Sequence, residues 1–150
     1  MPFEEKTTWV SVAVGSVVAA AYVAAVLPQL GDTPTADIAY QRPLVIAAIA
    51  TIVLTVIGSI VMAVASAIGA EIRQPGSGED VGRTDERDAL ISRRGDVVGY
   101  YVASAGALLA LVITMLELDY FWIASTLYLS FAVAGLASGL VKLRAYRRGF

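Results

Sequence analysis

Charged residues in this chain come in clusters separated by long uncharged intervals. None lies between Lys6 and Asp32, Arg42 and Glu71, Asp96 and Glu117, or Asp119 and Lys142. The intervals hold 25, 28, 20 and 22 residues. An α-helix rises about 1.5 Å per residue, so roughly 20 residues cross a hydrocarbon core about 30 Å thick. Each interval is long enough. Inside lipid every backbone amide must be satisfied within the chain, and a helix does this alone. The pattern predicts an all-α integral membrane protein, a single transmembrane domain over 1–150 with spans near 8–30, 43–70, 97–116 and 120–141.

The interruptions place the boundaries. Pro28 breaks the first helix at the water interface. The first span follows Glu4, Glu5 and Lys6, not a basic run, and is too long for a cleaved leader, so a retained span is expected. Gly31–Arg42 reads as an irregular polar loop. Pro43 suits a first helical turn, where its missing N–H does no harm. The second span exceeds what the bilayer needs and should tilt or protrude. Gln74–Gly82 reads as a flexible linker in the 71–96 connection. Thr84 can cap a helix from Asp85 to Arg94 that runs into the third span with no strong break. Glu117-Leu118-Asp119 is so short that spans three and four must form an antiparallel hairpin.

Basic residues orient the layout. Lys6, Arg73, Arg83, Arg87, Arg93, Arg94, Lys142, Arg144, Arg147 and Arg148 fall on one side of the alternating spans, and only Arg42 falls on the other. Lys and Arg in short loops stay cytoplasmic. The expected arrangement is an up-down-up-down four-helix bundle in the cell membrane, with both termini and 71–96 inside. Trp9, Tyr100 and Tyr101 sit at the inner boundary, and Tyr40, Tyr120, Phe121 and Trp122 at the outer one. Trp and Tyr favour such interfaces. The tail Lys142–Phe150 carries four positive charges, which serve either as a topology signal or as a contact with anionic headgroups.

Composition narrows the chemistry. Hydrophobic residues make up 57% and charged ones 16%, against about 25% charged in soluble domains. There is no cysteine and no histidine. Disulfides, thiolate metal sites and the commonest general base are thereby excluded. No charged residue lies at membrane depth, where proton relays and ion sites need one. The polar side chains at depth are Tyr22, Thr55, Ser59, Ser104, Tyr128 and Ser130. They either line a small polar cavity or hydrogen-bond between helices. Gly135 and Gly139 form a GxxxG pair that brings helices close, either within the chain or between copies through span four.

The charged approach to span three is the other candidate. Asp85, Glu86, Arg87, Asp88, Arg93, Arg94 and Asp96 crowd one membrane surface. Arg93 and Asp96 are three apart, within side-chain reach. The segment serves either as a salt-bridged support for span three or as a docking face for a cytosolic protein or lipid. Asp85, Asp88 and Asp96 also invite a metal reading, since phosphotransferases that join alcohols to CDP-activated lipids hold divalent metal on such aspartates. That pattern needs a downstream aspartate pair, and no carboxylate follows Asp96 until Glu117. Gly76 and Gly78 lack the residues of a phosphate-binding loop.

Asp85-Glu86-Arg87-Asp88, followed by Ile91, Arg94-Gly95 and Gly99-Tyr100-Tyr101-Val102, resembles a family of small four-span membrane proteins of bacteria and archaea known as a domain of unknown function. The resemblance implies the same fold and topology and brings no activity. The expected function is a non-enzymatic membrane scaffold or regulatory component, without cofactor or metal. Its partners are expected to be the lipid bilayer, a cytosolic or membrane protein, or a second copy, and not nucleic acid. A small oligomeric channel or facilitator is the alternative, and the metal-dependent lipid phosphotransferase a remote one.

Overall fold

The computed structural model describes residues 3–73 and 86–148. Within them lie α1 (Phe3–Val26), a short α2 (Gln29–Asp32), a 3-10 turn (Thr35–Asp37), α3 (Gln41–Arg73), α4 (Glu86–Met115) and α5 (Tyr120–Arg148). The fold is all-α, and α1, α3, α4 and α5 are each long and apolar enough to cross a membrane. Asp85, the Thr84 cap and the Gln74–Gly82 linker lie outside the described residues.

The four long helices are ordered in space α3, α1, α5, α4. Packing is closest between α4 and α5, substantial on both sides of α1, and slight between α3 and α5. All three close pairings run antiparallel. Gly95 faces Lys142 while Gly106 faces Ser130; Gly58 faces Val10; Gly139 faces Val12 while Tyr22 meets Ser125. Small residues explain the intimacy of α4 and α5. Gly95, Gly99 and Gly106 lie against Lys142, Ser138 and Ser130, where a β-carbon would collide with or press on the facing helix.

The hairpin turn is built by backbone capping. Glu117 adopts φ 54°, the Glu117 N–H donates to the Thr114 carbonyl, and the Leu118 N–H to the Ile113 carbonyl. That pair of bonds is a Schellman cap, whose left-handed residue is usually glycine.

The 31–42 connection is more structured than its composition suggests. Besides its two short helical turns, it buries Ile38 in a cluster with Val18, Tyr22, Val26, Ala47 and Phe121. Gln29 accepts the Ala39 N–H, and Thr35 donates to Asp119 across to the start of α5. One inserted isoleucine and these side-chain bonds close this end of the molecule. Polarity alone signals a loop but does not reveal such anchors.

Candidate functional site

The charged approach is continuous with the apolar helix it precedes, because α4 runs unbroken from Glu86 to Met115 through Gly95. Glu86 and Asp88 occupy its first turn, where negative charge suits the positive helix end. Ile91 is only 2% exposed, and Gly95 is buried against Lys142 and Ser138, so this stretch is fastened against α5 before the apolar interval begins. Arg87, Arg93 and Arg94 are exposed, Asp88 is half-buried, and Leu90 is exposed beside them.

Side chains from all four long helices meet at this end. Lys142 Nζ donates to Asp96 Oδ1 at 2.8 Å, linking α5 to α4. Ser92 makes a longer bond of 3.4 Å to the other oxygen of Asp96. Lys6 Nζ donates to Ser66 Oγ at 3.2 Å, linking α1 to α3. The Arg147 guanidinium stands 5.5 Å from the centre of the Trp9 ring, joining α5 to α1. Tyr146, beyond the last apolar turn of α5, lies within the field of Asp88, Glu4 and Glu5. Burial, then the charge on Asp88, pushes its hydroxyl up to about 12, so it stays a neutral donor across the physiological range.

Asp96 therefore finds its partner on another helix, and the Arg93–Asp96 contact that the sequence allows is not made. The metal reading fares similarly. Asp88 and Asp96 stand two helical turns apart and Asp96 pairs with Lys142, while Asp85 lies outside the described residues.

Searches of protein-family models, curated proteins and solved structures find no match to this chain.

The six polar residues at depth do not form one cluster. Tyr22 and Tyr128 meet edge to face with ring centres 4.8 Å apart. Tyr22 is 3% exposed, and its hydroxyl shares a 2.7 Å hydrogen bond with Ser125, itself buried. Thr55 and Tyr128 line a common groove between α3 and α5. Ser130 faces the other way, against Gly106 of α4. Ser59 and Ser104 are half-buried on α3 and α4, which hold the two ends of the helix row. The division follows from geometry: residues two apart on one helix, such as Tyr128 and Ser130, point to nearly opposite sides.

Ser125 is the residue that sequence reasoning missed. It lies one helical turn before Tyr128 and hence on the same face, which is the signal that points to it. The GxxxG pair is likewise divided. Gly139 is buried against Val12 and Thr8 of α1, whereas Gly135 meets nothing within 4 Å and opens on the groove.

Proposed function

We propose that this chain is a multi-pass protein of the cell membrane, its helices running up-down-up-down with both termini and 71–96 in the cytoplasm. It acts without catalysis, as a scaffold or regulatory component that docks a cytosolic or membrane protein on the first turns of α4. One observation carries this reading most. The charged stretch Glu86–Asp96 is part of a long helix, buries Ile91, and is fastened to α5 through Gly95 and the Asp96–Lys142 pair. Arg87 and Arg93 are thus presented at fixed positions beside exposed Leu90. A plain topology signal needs positive charge but no such fixed placement.

The test is crosslinking from the face itself. A photoreactive residue at Arg87, in native membranes, should join the chain to one dominant protein. Arg93→Ala should cut that product at least severalfold while membrane levels of the chain stay constant. An unchanged yield from Arg93→Ala, or adducts to lipid alone, contradicts the docking role.

A second reading draws on the groove shared by Thr55 and Tyr128, which opens sideways from the chain. A ring of copies would be needed to close it into a pore. Solute flux in proteoliposomes that Thr55→Leu abolishes would favour this channel.

A further inference from the structure

The sideways groove lies against the apolar stretches of three helices. Its walls are α3 and α5, its floor is α1, and its volume is about 360 Å³. Gly15, Ala48, Thr51, Thr55, Tyr128 and Gly135 supply much of the lining. On α5 it extends from Tyr128 to Leu136, about 12 Å of helix. Tyr128 lies about 12 Å along α5 from Tyr120, and Thr55 about 21 Å along α3 from Gln41. Both therefore sit near the middle of their apolar intervals, far from headgroups and bulk water.

The hydroxyls in this groove differ. Ser11 returns to the Thr7 carbonyl at 3.1 Å and Thr51 to the Ala47 carbonyl at 2.9 Å, so each is satisfied by its own helix. Thr55 and Tyr128 have no hydrogen-bond partner among the described residues. Tyr128 is also held in place, because its ring packs on Tyr22, and Tyr22 is bonded to Ser125. A hydroxyl without a partner in hydrocarbon is costly, and Tyr128 is the one held in place, so an occupant that accepts from Tyr128 is favoured over one that does not.

Three occupants fit poorly. Bulk acyl chains carry no oxygen at this depth. A second copy presenting the same groove would set one concavity against another and leave a void, contrary to the close packing of protein interfaces. A helix of another protein spans about 30 Å, well beyond a groove of about 12 Å. At about 30 Å³ for each water-sized group, the groove holds roughly a dozen heavy atoms.

We infer that the groove between α3 and α5 binds a lipid-soluble molecule with an apolar body and one acceptor oxygen of ketone or ether type, to which Tyr128 donates. This requires the helices to lie in lipid but not the docking face, so failure of the crosslink from Arg87 leaves it standing.

Benzophenone tests it, since its carbonyl is both acceptor and photoreactive group on an apolar frame. The full chain is placed in nanodiscs of dimyristoylphosphatidylcholine, irradiated with benzophenone, and mapped by peptide mass spectrometry. Adducts should concentrate on groove residues. A long-chain dialkyl ketone should displace the probe, and an alkane of equal length should not. Tyr128→Phe keeps shape and removes the hydroxyl, and should lower labelling about two- to tenfold, the range of one neutral hydrogen bond, while Thr55→Val, further along the groove, should change it less than about twofold. Gly135→Leu should abolish labelling by filling the groove; if it does not fold, Tyr128→Phe still decides. Equal competition by the alkane with unchanged labelling of Tyr128→Phe means bulk hydrocarbon only and overturns the inference. Adducts to a second copy, or spread evenly over α3, overturn it too.

Discussion

The α4–α5 hairpin and the α3 arm are both apolar, yet they pack in opposite ways. Along α4, glycines at 95, 99 and 106 let α5 approach closely. Along α3, the most apolar of the four, Ala47 is the one buried hydrophobic among the described residues, while Ile46, Ile49, Ile52, Ile57 and Ile60 are exposed. Lipid tails are as apolar as leucine, so hydrophobicity gives helices no reason to prefer each other. Apolar length decides what enters a membrane, and the placement of small residues decides which helices become neighbours. The groove is a consequence: α3 touches α1 where Gly58 meets Val10 and stands away from α5.

The sharpest way to break this comparison is to enlarge one glycine in each region. Gly106→Leu drives a side chain into Ser130 and should cost about 3 kcal/mol or more, seen as loss of monodisperse protein or a large drop in melting temperature in detergent. Gly69→Leu meets open space and should stay within about 0.5 kcal/mol. Similar losses from both would mean that close approach does not hold the hairpin together.

Truncating one isoleucine in each region asks the same of large residues. Ile91→Ala should cost about 2–4 kcal/mol, because that side chain is only 2% exposed. Ile57 is 52% exposed, and its alanine variant should shift stability by less than about 0.5 kcal/mol. Equal melting temperatures for the two variants would count against the difference.

The remaining effects are smaller. Glu117→Gly should stabilise the hairpin by about 1 kcal/mol, since glycine removes the penalty of the left-handed cap; a lower melting temperature would refute that. Ser125→Ala should cost about 0.6 kcal/mol, typical of one hydrogen bond between membrane helices. A loss of several kcal/mol would make the Tyr22–Ser125 pair a cornerstone of the fold rather than a support for Tyr128.

The gaps between charges are enough to read four helices from the sequence, and the three residues at 117–119 are enough to read the hairpin. A helix from Asp85 to Arg94 leading into the third span is legible too, and α4 runs unbroken from Glu86. Facing was not. Depth along a helix follows from counting, but which helix a side chain meets depends on rotation and order, and no single apolar stretch encodes those. Hence Tyr22, Thr55, Ser59, Ser104, Tyr128 and Ser130 share a depth range without sharing a site. Asp96 took Lys142, 46 positions away, over Arg93 on its own helix. Ile38 was hidden for another reason, since one anchoring isoleucine in a polar loop leaves no periodicity to detect.

That the four helices cross a bilayer, with the start of α4 in the cytoplasm, is tested most directly by single-cysteine labelling, because the chain has no cysteine of its own. In intact cells a membrane-impermeant maleimide should label Ala36→Cys and spare Ala89→Cys until the cells are opened, and Ile57→Cys should resist in both conditions. Labelling of Ala89→Cys from outside, or ready labelling of Ile57→Cys, would contradict it.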